Sequence, residues 1–104
     1  MKIAFTFRHL EPSDWIKSYA SRKVAKLQKL AHAPLEVTLT FFVERHLHCV
    51  DITVHANGEV YMAREEREDM YAAIDLGVDK LRQQLSRTKD AHAKSRRMAP
   101  AFGS

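Results

Sequence analysis

A single cysteine, Cys49, occurs in the 104 residues, so no disulfide can form within the chain and a reducing cytoplasm is the simplest setting. Glycines number three, too few for a glycine-rich loop that cradles phosphates. No run approaches the roughly 18 consecutive apolar residues of a membrane span. The amino-terminal Met1-Lys2-Ile3-Ala4-Phe5 alternates like a strand and lacks the apolar run of a signal peptide. Internal repeats are absent, and low complexity is confined to the last residues. A chain of this length supports one small domain with a single two-layer core.

What is present is charge, and it is segregated. The net charge is only +4, but residues 1–33 carry seven basic and two acidic groups, residues 34–69 three basic and eight acidic, and residues 70–104 seven basic and three acidic. The two helix-like ends are basic and the strand-like middle is acidic. A solvated surface needs charge but not segregation, so the basic ends point to a polyanionic partner.

Periodicity assigns the elements. Ile3, Phe5 and Phe7 alternate with Lys2, Thr6 and Arg8, a half-buried strand over residues 2–8. His9-Leu10-Glu11-Pro12 is a turn, and Ser13 suits an N-cap. A helix is expected over residues 14–31, burying Ile16, Ala20, Val24, Leu27 and Ala31, with Tyr19 and Leu30 at the edge. Arg22, Lys26 and Lys29 cluster on its opposite face, and Trp15 projects to that side. Trp15 either covers the end of the core, the commoner use of such a residue, or stands ready to stack on a base or sugar. Ala33-Pro34 ends the helix.

Leu35, Val37, Leu39, Phe41 and Val43 form the apolar face of a second strand; Arg45-His46-Leu47-His48 connects it to a third, where Val50, Ile52, Val54 and Ala56 face inward. Asn57-Gly58 is a strong hairpin signal, because both turn positions tolerate positive φ. A fourth strand over residues 60–64 precedes an acidic turn, Glu65, Glu66, Glu68 and Asp69, whose last residue can cap a second helix. In that helix Met70, Tyr71, Ile74, Val78, Leu81 and Leu85 fall at helical spacing, while an ideal wheel turns Lys80, Gln83 and Arg87 toward solvent.

The expected fold is therefore α+β, a two-layer β-α-β-β-β-α domain over residues 1–90. A four-stranded sheet carries two helices on one face, with the first two strands parallel across the helical crossover. This resembles a double-stranded-RNA-binding domain in its last β-β-β-α portion, although the usual basic cluster at the start of the final helix is replaced by Glu68 and Asp69. An RRM is disfavoured, since Phe5, Phe7 and Phe41 face the core and not the open sheet. Residues 91–104, with Lys94, Arg96 and Arg97 and little to bury, read as a flexible basic tail.

Nothing reads as an enzyme. His46, His48 and Cys49 fit no standard zinc spacing and have no second cluster. Cys49 and His55 lie six residues apart on one strand, roughly 20 Å, too far for a thiolate–imidazole pair. The acidic turn is explained by helix capping. No cofactor, no metal and no catalytic residue is expected.

The stretch Arg67-Glu68-Asp69-Met70-Tyr71-Ala72-Ala73-Ile74-Asp75, followed by Asp79-Lys80-Leu81 and Gln84-Leu85, closely resembles the ribosome hibernation-promoting factor and ribosome-associated inhibitor family, also labelled sigma-54 modulation protein. Val24-Ala25-Lys26-Leu27 and His55-Ala56-Asn57-Gly58 extend the resemblance over roughly residues 1–90. It implies a cytoplasmic partner, the small ribosomal subunit and its rRNA. Binding in the tRNA and mRNA channel would exclude both ligands and silence ribosomes in stationary phase or stress, and some members promote dimerisation while others oppose it. The match places Lys23, Lys26, Lys80, Arg82, Arg87 and Lys89 where the family is basic; the helical wheel adds Arg22 and Lys29 and sets Lys23 and Arg82 at the core edge, from which charged ends snorkel outward.

Three departures stand out: Leu76-Gly77 in the second helix, a basic end in place of the acidic one of some inhibitors, and no second, dimerising domain in this sequence. The last two favour a short hibernation-promoting factor that relies on a separate ribosome-dimerising protein. Gly77 is expected to cost the helix about 1 kcal/mol, and Leu76 to face solvent.

The mechanism expected is electrostatic and steric. Arg22, Lys26, Lys29, Lys80 and Arg87 would neutralise phosphates with a salt slope of roughly −3.5 to −4.5. The rival, from another class, is a regulatory protein-binding module using the acidic sheet face around Glu36, Thr38, Phe42, Asp51 and Thr53. No membrane partner is expected.

Overall fold

Alternation decides the sheet. In a computed structural model that describes the backbone of residues 1–102 and the side chains of residues 1–87, four strands are joined in the order β1-β2-β3-β4. β1 (Lys2–Phe7) pairs in parallel with β2 (Glu36–Glu44), from Lys2 opposite Glu36 to Phe7 opposite Phe41. β3 (Leu47–Ala56) and β4 (Glu59–Arg67) follow as antiparallel neighbours. One face carries Val37, Leu39, Phe41, Val50, Ile52 and Val54 into the core, with Phe5 and Phe7 stacked on Phe41 at 6.3 and 4.9 Å between ring centres. The other face meets solvent, as one-sided alternation requires.

Both helices cover the apolar face. α1 (Asp14–Ala25) starts at Ser13, whose hydroxyl accepts from the Ile16 amide at 3.3 Å. α2 (Met70–Phe102) starts beside Asp69, whose carboxylate accepts from the Tyr71 amide at 2.9 Å. The core is sealed by Ala20, Val24 and Leu27 from the first helical segment and by Met70, Ala73, Ile74, Val78, Leu81 and Leu85 from α2. The tail expected at residues 91–104 lies outside the residues whose side chains are described.

Several boundaries differ from the sequence reading, each for a local reason. The first helix does not stay α-helical to residue 31: it tightens at Lys26 into a 3₁₀ segment, Lys26–Leu30. The Gln28 side chain closes that end, donating to the Ala33 carbonyl at 2.9 Å and accepting from the Leu35 amide at 3.0 Å. The connection between β2 and β3 is shorter than expected, because Glu44 pairs with Leu47 and only Arg45 and His46 turn, both at positive φ of 52° and 67°. Two such residues match the twist of the flanking strands. Asn57-Gly58 turns as expected, at φ of 53° and 78°.

The fourth strand is longer than expected and reaches Arg67. This overturns the reading of Glu65 as part of a solvated acidic turn: its side chain points under α2 and is only 4% exposed. Tyr71 and Val43 leave their expected apolar faces and are exposed, Tyr71 meeting Tyr19 edge-on at 4.9 Å. Gly77 has a positive reason to be there. A Cβ at this position would lie 2.9 Å from Ile52 Cδ1 and 3.9 Å from Glu65 Cγ, so its absence lets α2 approach β3 and β4.

Candidate nucleic-acid interface

The helical layer presents the basic residues, and the geometry of α1 lines them up. Arg22 and Lys26 are four residues apart, neighbours on a helix surface. The change to 3₁₀ geometry at Lys26 brings three residues per turn, so Lys29 falls directly in line with Lys26. Among the described residues none of the three is within ion-pairing distance of a carboxylate. Arg22 rests 5.7 Å from the Tyr19 ring centre. Together they form a row of uncompensated positive charge.

Lys23 and Arg82 sit elsewhere. They line a groove of about 400 Å³ between the two helices, with Lys26, Asp75, Asp79 and Leu76 around it and Leu27 and Val78 beneath. Lys23 pairs with Asp75 at 3.3 Å, and the same carboxylate oxygen accepts from the Tyr19 hydroxyl at 2.6 Å. That hydrogen bond to Asp75, then burial, raises the hydroxyl's pKa above its usual value; the bond to Asp75 raises that of Lys23 likewise. The network ties α1 to α2 and fixes the width of the groove. Arg82 is held by Asp79 one helical turn away, with Nη2 at 2.8 Å and Nε at 3.3 Å from Oδ1.

Lys80 departs most from the helical wheel. It lies on the flank of α2 facing β4, and its ammonium lodges against Oε2 of the buried Glu65, whose Oε1 is 3.3 Å from Arg67 Nη2. The wheel placed Lys80 by angle alone and had no way to register a carboxylate beneath the flank. Glu65 is thus the charged residue that sequence reasoning misplaced; the signal available was an acidic residue in register with Tyr61 and Ala63 on the inward side of β4. Arg87 is exposed and unpaired among the described residues. The side chain of Lys89 lies outside them.

Trp15 does not cover the core. It is 79% exposed, beside the start of α1, an unusual expenditure of a large aromatic on solvent. Leu76 is 36% exposed at the mouth of the groove, in line with the expectation that it faces outward.

The open sheet face is less acidic than the chain's middle segment suggested. Lys2, Arg8 and Arg64 stand among Glu36, Glu44, Asp51 and Glu66, and Arg64 grips Asp51 with Nη2 at 2.8 Å from Oδ2. That pairing holds the guanidinium's pKa above its ordinary range. Arg8 and Arg64 also flank the Phe42 ring, at 4.5 and 5.7 Å from its centre. Much of the segment's negative charge lies at Glu59, Glu68 and Asp69 off the face, or at Glu65 beneath α2. Cys49 is fully buried, and its burial, with Glu66 and Glu44 nearby, raises the thiol's pKa. Among the described residues no three His, Cys, Asp or Glu side chains gather as a metal site, and no helix is long and apolar enough to cross a membrane.

Fold and surface together define a two-layer α+β domain with a cationic helical surface. A family model described as sigma 54 modulation protein / S30EA ribosomal protein matches residues 3–93, and the chain belongs to that family. It is 37% identical over 90 residues to a protein of Salmonella typhimurium named ribosome hibernation promoting factor, covering 86% of this chain and 95% of the relative. The protein of that name from Escherichia coli K12 is 36% identical over the same lengths. Among solved structures, the N-terminal domain of Thermus thermophilus Protein Y superposes with a TM-score of 0.80 at 31% identity, covering 85% of this chain and 99% of that one. A ribosomal subunit interface protein from Coxiella burnetii shares the fold, with a TM-score of 0.75 at 24% identity, 86% of this chain and 99% of that one.

Proposed function

We propose that this protein is a ribosome hibernation factor of the cytoplasm, a binding protein and not an enzyme. It occupies the tRNA and mRNA channel of the small subunit, contacts its rRNA, and silences translation in stationary phase or stress. The observation that carries the reading is the row Arg22, Lys26 and Lys29, aligned by the 3₁₀ turn and free of ion-pair partners among the described residues. The names of the relatives support it from a separate direction.

Arg22, Lys26, Lys29 and Arg87 neutralise phosphates and release counterions, which gives a salt slope of about −3 to −3.6. Lys23 and Arg82 hold the groove open and add charge at its rim. Lys89 extends the same basic run. Trp15 stacks on a base or sugar at the edge of the footprint. Lys80 is the counterion of Glu65 first and contributes to the field only in part. Folded rRNA supplies the shape that makes binding site-specific. Pairing of silenced ribosomes falls to a separate dimerising protein.

Co-sedimentation with ribosomes through sucrose, at low and high salt, tests the proposal. The protein is expected to travel with the small subunit at low salt and to leave it at high salt. A protein that stays at the top of the gradient at low salt defeats the ribosome assignment. A double-ribosome peak with this protein alone overturns the assignment of pairing to another factor. The reversal variant should change Arg22, Lys26 and Lys29, because a charge reversal at Lys80 disturbs the buried Glu65 as well.

A further inference from the structure

The groove between the two helices holds more than cations. A surface that only neutralised a backbone would keep carboxylates away, yet Asp75 and Asp79 stand in the groove beside Lys23, Lys26 and Arg82. Asp75 takes Tyr19 and Lys23 together on Oδ1, which commits it to joining the two helices. Asp79 is held only by a neighbour on its own helix. Both bonds from Arg82 fall on Oδ1, leaving Oδ2 open among the described residues, and each carboxylate oxygen has two lone pairs. The exposed Leu76, with Val78 and Leu27 beneath, supplies an apolar bed next to this pair, and the groove's volume of about 400 Å³ lies in the range of small-ligand sites.

We infer that this groove receives one unstacked base of the bound RNA, and that it favours guanine. The inference rests on the ribosome reading for its RNA but on Asp79 and Arg82 for its selectivity. RNA is read in sequence-specific fashion mostly through splayed bases that stack on side chains and bond through their Watson–Crick edge. The Asp79–Arg82 pair presents an acceptor beside donors. Adenine, cytosine and uracil each offer that pair one N–H donor and an adjacent acceptor. Guanine offers two neighbouring N–H donors, N1 and N2, with O6 alongside, and so makes one more bond. Leu76 lies under the ring, while a flanking phosphate reaches Lys26 on the rim. The Lys23–Asp75–Tyr19 network acts as the spacer that keeps the slot open.

The test is an NMR titration of the full, isotope-labelled chain with GMP, AMP, CMP, UMP and ribose 5-phosphate. GMP is expected to bind roughly tenfold tighter than UMP, a discrimination in the lower range for a bidentate base contact, and to shift the Leu76 methyl and Asp79 amide signals. Ribose 5-phosphate should move only signals of the basic rim. Asp79→Asn, at an exposed position, should keep its circular dichroism spectrum and lose the preference for GMP. Equal affinities for all four nucleotides and the base-free phosphate would overturn the inference, as would an Asp79→Asn variant that still prefers GMP. Should the wild type co-sediment with ribosomes in the same preparation, only the base pocket fails and the ribosome reading stands.

Discussion

The two helices carry similar formal charge to different ends. On α1 and its 3₁₀ extension, Arg22, Lys26 and Lys29 meet no carboxylate among the described residues; on α2, Lys80 and Arg82 are each claimed by one. The first helix leaves this charge uncompensated among the described residues, while much of the second helix's charge is spent on the fold. A count of lysines and arginines cannot tell these apart. For Lys80 the difference is the sheet, because β4 places Glu65 under α2; for Arg82 it is Asp79, one turn back on the same helix.

The largest effect expected from breaking this contrast is on stability. Lys80→Glu sets a second carboxylate against the buried Glu65, leaving Arg67 as its remaining cation, and should cost about 4 kcal/mol, read from the midpoint of urea unfolding. The double variant Glu65→Gln/Lys80→Met removes both charges and should recover all but about 1 kcal/mol, since a buried ion pair adds little net stability over neutral partners. Next comes binding. Reversing Arg22, Lys26 and Lys29 together to Glu should lower ribosome affinity roughly a hundredfold or more, with the unfolding midpoint nearly unchanged.

A smaller effect sharpens the link between the helices. Tyr19→Phe loses the hydrogen bond to Asp75 and should cost about 1 kcal/mol. In the wild type both Tyr19 and Lys23 have pKa values raised in the fold. Their stabilisation is complete below their unfolded values and is lost as pH rises through the folded ones. Stability should therefore fall above about pH 10, less steeply in Tyr19→Phe. Smallest is Gly77→Ala. The gain in helix propensity, about 1 kcal/mol, is set against displacement of the Ile52 methyl, so the net change should stay within about 1 kcal/mol, whereas Gly77→Leu should cost about 2.

The strands and the second helix were legible because period and turn chemistry agreed: alternation in β1 to β3, Asn57-Gly58 at the hairpin, and Asp69 before an apolar stripe. The basic row on α1 was legible for the same reason, since i, i+4 spacing needs no tertiary knowledge. Three features were not. The 3₁₀ end of the first helix depends on Gln28 bonding to residues five and seven positions further on. Glu65 looked like its acidic neighbours until the length of β4 put it on the inward face. Tyr71 followed the apolar stripe in spacing, yet the stripe is wider than the buried strip, and Tyr19 meets it outside the core.

The most direct test of the contrast is the salt dependence of small-subunit affinity in three proteins: wild type, Lys29→Gln, and Glu65→Gln/Lys80→Met. Lys29→Gln is expected to flatten the plot of log affinity against log salt by about 0.7 to 0.9, the value of one lost phosphate contact, while the double variant leaves the slope within error of wild type. Equal flattening in both, or flattening in the double variant alone, would contradict this and return Lys80 to the rRNA interface.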